Sequence, residues 1–193
     1  MAAIARQDSI YPIRIYQTNE VSKPPEIDGW LSDEAWNAVE WAGDFQMFEP
    51  YDDRPPTLET KFKIIFDSDH LYVAIRAYDN HPDSIVRRLT RRDEMDGDFV
   101  ALQFDSYHDH QTGFAFFASA AGSKMDNFTS NDGDIEDDTW DPIWWVETQI
   151  DAEGWTMEAK IPFSQLRFDK HSDGAWGLQA PHTAGIAVGA HWW

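Results

Sequence analysis

Cysteine is absent from the 193-residue chain, which rules out disulfides, thiolate metal sites and cysteine nucleophiles but does not fix a compartment. No apolar run approaches the ~20 residues that a membrane-crossing helix needs. Basic residues are scarce: 15 Lys and Arg stand against 35 Asp and Glu, a formal net charge of −20. Such a surface repels phosphate backbones and anionic lipid, which argues against nucleic acid and membrane surfaces as partners. A phosphate-cradling glycine loop, a Gly-x-Ser-x-Gly elbow and a His-Glu-x-x-His helix are all missing. Carboxylates are so abundant that some pair faces another in any fold, so a catalytic acid–base pair has no specific support. Met1 to Tyr16 is interrupted by Arg6, Gln7, Asp8 and Arg14 and has no apolar centre of the kind an export signal carries. If the protein is exported, its signal is expected to have been removed or to lie outside this sequence.

What is present is aromatic. Hydrophobic residues make up 42% of the chain and aromatics 15%, with ten Trp. That is enough for one well-packed domain, and a tryptophan surplus beyond core needs points to exposed stacking platforms. Alternating apolar and polar residues mark strands at Leu58–Phe66 and His70–Tyr78, joined by Asp67-Ser68-Asp69 as a hairpin. Further strands fit Asp98–Asp105, Gly113–Ser119, Pro142–Ile150 and Gly154–Ile161, the last two joined by a turn ending on Gly154. Ser32 is read as the N-cap of a short helix reaching Val39, with Leu31, Ala35 and Val39 as its apolar stripe, and Phe163–Leu166 as one helical turn. The fold class that follows is all-β: a two-sheet antiparallel, jelly-roll-like β-sandwich with one or two short helices. Residues 1–23 read as an edge-strand lead-in, with a β-rich stretch at Ile10–Tyr16, and 24–179 as the sandwich. Residues 180–193, which contain no Asp, Glu, Lys or Arg, read as an atypical tail, with a last strand through Ile186–Val188 as the structural alternative.

Two segments suggest cations. His108-Asp109-His110 invites a transition-metal reading, but a solvated hairpin loop accounts for it better. Asn127–Asp141 reads as a polar acidic loop in which Asp132, Asp134, Glu136 and Asp138 alternate around Gly133, a set of hard oxygen donors suited to Ca²⁺, with a solvated charge run as the alternative.

Four segments together carry a resemblance: Ile27–Trp36, Asp67–Asp79, Asp98–Asp105 and Gly154–Leu166. In order and spacing the chain resembles the family 9 carbohydrate-binding modules over roughly Pro24 to Gln179. Arg91-Arg92-Asp93, Asp105–Thr112, Trp140–Trp144 and Leu166–Phe168 are similar to the family 9-like domain at the start of large bacterial outer-membrane β-barrel proteins. The resemblance implies a β-sandwich with structural calcium and a glycan end clamped between two tryptophans. It also implies a non-catalytic role beside carbohydrate-degrading hydrolases, and a periplasmic, cell-surface or secreted setting. Met95 stands where the family's first clamp Trp is expected, and Ala101 where its glutamate is. A sugar site is therefore expected around Trp140, Trp144 and Trp145 with Arg92 and Asp141 as hydroxyl partners and Met95 at its mouth, because indole faces stack on pyranose C–H faces. Trp144 is the first choice as platform; alternation puts Trp144 and Trp145 on opposite faces, so at most one is core. The alternative function is a ligand-free structural or interaction domain preceding such a barrel.

Overall fold

A computed structural model describes residues 15–45, 56–131, 133–168, 175–179 and 182–183. Two sheets form a sandwich. The first has strand order β1 (Asn19–Glu20), β2 (Thr60–Phe66), β3 (His70–Tyr78), β9 (Gly154–Pro162) and β8 (Trp145–Asp151). The second runs β10 (Gly177–Gln179), β4 (Phe99–Asp105), β5 (Gly113–Ser119), β6 (Lys124–Ser130) and β7 (Ile135–Asp137), with β11 (His182–Thr183) also on β4. Every pairing is antiparallel except β1 on β2, which is parallel.

Period-two patterning decides which side of each strand faces the partner sheet. Phe62, Ile64, Val73, Ile75, Met157, Ala159 and Ile161 from the first sheet meet Val100, Leu102, Phe104, Phe114, Phe116 and Ala118 from the second in one core. β3 breaks the simple alternation, with Leu71 to Ala77 all buried. Its other face is covered too: Trp36 and Val39 pack on Ile65, Tyr72 and Ala74, with Ile27, Leu31 and Ala35 around them. The expected helix is a short 3₁₀ segment, Glu34–Ala38, preceded by Asp33 without a side-chain cap, so Ser32 is not its N-cap. The apolar stripe still does its expected work, because contact with the sheet, not a cap, holds the segment in place.

The expected hairpins, β2–β3 and β8–β9, are present, and a 3₁₀ turn at Phe163–Gln165 follows β9. Gly154 sits at φ +138°, where an added Cβ would lie 2.2 Å from the Ala77 carbonyl oxygen. The reading of Asn127–Asp141 as one loop is corrected: the end of β6, residues 127–130, and all of β7 lie within it and pair Phe128 with Asp137. β6 was missed because its polar residues are tolerated by backbone pairing, which hydropathy does not register. Pairing also passes Gln179, since His182 and Thr183 lie opposite Val100 and Phe99. The proposed strands at Ile10–Tyr16 (up to residue 14) and Ile186–Val188 lie outside the described residues.

Candidate functional site

β6 turns Asp126 inward, and its fully buried carboxylate becomes the centre of the residues that the sequence put forward for sugar binding. Trp144 Nε1 donates to Asp126 at 2.9 Å and Arg92 Nη2 at 2.7 Å. The same Arg92 nitrogen donates to the Pro142 carbonyl at 2.9 Å and contacts Asp141. Burial pushes the Asp126 carboxyl up, while hydrogen bonds from Trp144 and Arg92 and the Arg92 charge pull it down. Lys124, whose own pKa burial lowers, donates to the Trp144 carbonyl at 2.7 Å. The network ties the 140–144 loop to the second sheet.

This corrects the first choice of platform. Trp144 is 2% exposed and stacks edge-on against Phe116 at 5.2 Å. Asp126 offers its indole N–H a buried acceptor, so the whole ring can leave water without losing a hydrogen bond. Trp140 is half-buried against Phe114 and Phe116, at 5.1 and 5.6 Å. Arg92 and Asp141 come together as expected, but the Arg92 guanidinium is engaged by Asp126 as well as by Asp141. Met95 is half-buried, and Ala101, on the side of β4 away from the core, is 1% exposed and brings no polar group.

The cation readings are resolved unevenly. His108 and His110 are exposed, both at positive φ, in a loop held by the His110 amide on Asp105 and the Gln111 and Thr112 amides on Asp109, as the hairpin-loop reading requires. Asp134, Glu136 and Asp138 are exposed and lie along β7 and its flanks. Asp132 lies outside the described residues. Of the other three, Glu136 lies within β7, and Asp134 and Asp138 sit in the turns that flank it. Among the described residues, no three acidic or histidine side chains gather into a group that could hold a metal.

Exposed tryptophan is found elsewhere. Trp30, Trp41 and Trp145 are 48%, 39% and 49% exposed. Trp145 opens β8 opposite Lys160, whose ammonium lies 5.5 Å from the indole centre. Trp30 and Trp41 flank the outer surface of the same sheet, near Arg76, Tyr78 and Thr156. Glu158, fully buried, holds the Trp30 loop: its Oε2 accepts from the Asp28 and Gly29 amides at 3.1 and 2.9 Å, and its Oε1 from Trp36 Nε1 at 2.7 Å. Sequence reasoning passed over Trp30 and Trp41. The stripe could not single them out, because Trp36 also lies off Leu31, Ala35 and Val39 and is nonetheless buried against the sheet.

A family model described as a carbohydrate family 9 binding domain-like domain matches residues 27–182. Among solved structures, the chain is similar to a family 9 carbohydrate-binding module from Caldicellulosiruptor kristjanssonii in complex with glucose. The identity is 22% and the TM-score 0.59, over 87% of this chain and 79% of the other. That module in complex with cellotriose aligns at 20% identity and TM-score 0.60, over 90% and 82%. A protein from Bacteroides uniformis, proposed to bind carbohydrate, aligns at 14% identity and TM-score 0.63, over 91% and 88%. No curated protein matches the chain.

Proposed function

The chain belongs to the carbohydrate family 9 binding domain-like family, and on that footing we propose that it is a non-catalytic module that binds oligo- or polysaccharide. The observation that carries the proposal is the set of exposed tryptophans, Trp30, Trp41 and Trp145, on the outer side of one sheet. Exposed indole is costly in water and is the side chain best suited to stack on a pyranose ring. The glucose and cellotriose complexes of structurally similar family 9 modules support the reading. A role in carbohydrate catabolism beside a hydrolase, and a periplasmic, cell-surface or secreted location, belong to the same proposal. So does a place in front of an outer-membrane β-barrel.

Titration calorimetry of the purified domain with glucose, cellotriose and a panel of neutral oligosaccharides tests it. Saturable binding to at least one of them is expected. No heat and no change in tryptophan emission with any sugar would instead favour a structural or interaction domain. That second reading draws on one observation: Arg92, Asp141 and Trp144 are occupied by internal contacts.

A further inference from the structure

The outer surface of the first sheet has a cleft with a polar floor and two tryptophans among its walls. Arg76, on β3, donates from Nη1 to Asp151 Oδ2 at 2.6 Å, from Nη2 to Asp151 Oδ1 at 2.8 Å and from Nη2 to Glu153 Oε2 at 3.0 Å. Its guanidinium also lies 5.3 Å from the Tyr78 ring centre. Trp30 and Trp41 line the same open cleft of about 410 Å³ as Arg76, Tyr78, Asp151 and Glu153. That volume falls within the ~300–1,000 Å³ usual for small-ligand sites.

The walls are held in place. Gly29, at φ +83°, leaves no room for a side chain, since a Cβ there would lie 2.9 Å from Gln149 Cγ. Both its peptide groups are bonded: its amide donates to Glu158, and its carbonyl accepts from Thr156 Oγ1 at 2.6 Å. The Trp30 amide donates to Asp28 Oδ1 at 2.8 Å. Lys63 lies 5.0 Å from the Trp41 ring centre and donates to the Trp36 carbonyl at 2.7 Å. Large apolar rings kept exposed on anchored backbone lose little entropy when a ligand covers them.

We propose that this cleft is a carbohydrate site in which Trp30 and Trp41 stack on a neutral pyranose and Asp151 and Glu153 accept its hydroxyls. The charge decides the class. Lys63 beside Trp41 and Lys61 beside Tyr78 offset the carboxylates locally, but the formal net charge of −20 over the whole chain disfavours uronates and sulfated sugars. Arg76, already bound by both acids, orients them for hydroxyl donors. The inference rests on the sugar-binding reading above and assigns that reading a location, ~20 Å along the sheet from Trp145, at the opposite end of β8.

Calorimetry with cellotriose as the neutral probe, and an oligouronate of equal length as the anionic one, tests it at low ionic strength. Trp30→Ala and Trp41→Ala should each weaken cellotriose binding about tenfold or more. Trp30→Phe should retain part of the affinity, and the circular-dichroism spectrum of each variant should match the wild type, since neither ring belongs to the buried core. The oligouronate should bind more weakly than cellotriose. Full affinity in both alanine variants, or loss only in Trp145→Ala, overturns this location and leaves the module a sugar binder. Tighter binding of the oligouronate overturns the neutral class. A wild-type domain that binds no sugar overturns the module reading and this site with it.

Discussion

Asp126 has no access to water, and Arg92 supplies both a hydrogen bond and the only opposite charge that touches it among the described ion pairs. Removing one partner of a buried pair leaves the other charge uncompensated, which costs more than the pair contributes. Arg92→Leu should therefore lower the unfolding free energy by roughly 3 kcal/mol, measured by urea denaturation. A loss below ~1 kcal/mol, the range for an exposed ion pair, would mean that the network is peripheral. Glu158 poses the opposite case. Burial raises its pKa to about 7 against the hydrogen bonds from Trp36, Asp28 and Gly29, and the Asp28 charge pushes in the same direction as burial. A carboxyl whose folded value lies above its unfolded one binds its proton more tightly in the native state. Its contribution is thus complete below the unfolded value of ~4.5 and is lost as pH rises through the folded one. The stability of the wild type relative to Glu158→Gln should fall between pH 5 and pH 8. A difference that stays constant across that window would show that Glu158 does not titrate there.

At the level of elements, the β6–β7 hairpin takes over what the sequence presents as an acidic loop. Calcium at this hairpin remains a proposal. A bound ion would have to draw Asp134, Glu136 and Asp138 into one group against their mutual repulsion, since among the described residues they do not form one. Ca²⁺ in the millimolar range should then raise the melting temperature relative to EDTA at matched ionic strength, because binding to the native state alone stabilises it. Identical melts would remove calcium from this hairpin. The Ile27–Trp41 segment shows how an element that is barely regular can still be decisive. It contributes a single 3₁₀ stretch, yet it buries the outer face of β2 and β3 and presents Trp30 and Trp41 to solvent.

Across the whole molecule, 35 acidic residues outnumber 15 basic ones, and the folded state concentrates that charge. Raising NaCl from about 10 mM to about 150 mM shortens the screening length from ~30 Å to ~8 Å and should raise the melting temperature by relieving self-repulsion. An unchanged or lower melt would mean that local ion pairs such as Arg76 with Asp151 outweigh the net charge. The fold class was legible in the chain because period-two patterning in β2 and β3 is a local property, as is the Asp151–Gly154 turn. So was the identity of the aromatic surplus, though not its distribution. Trp144 and Trp145 are adjacent and chemically identical, and alternation alone states only that they differ. Which of them is core depends on Asp126, eighteen residues earlier in sequence, being turned inward beneath the 140–144 loop. Likewise Arg76, Asp151 and Trp30 are far apart in the chain and meet only because β3, β9 and β8 are neighbours in one sheet. Local sequence determined which segments pair and which side chains can stack or carry charge. Tertiary structure decided which tryptophans remain in water, because exposure depends on whatever packs above a residue, and that comes from distant parts of the chain.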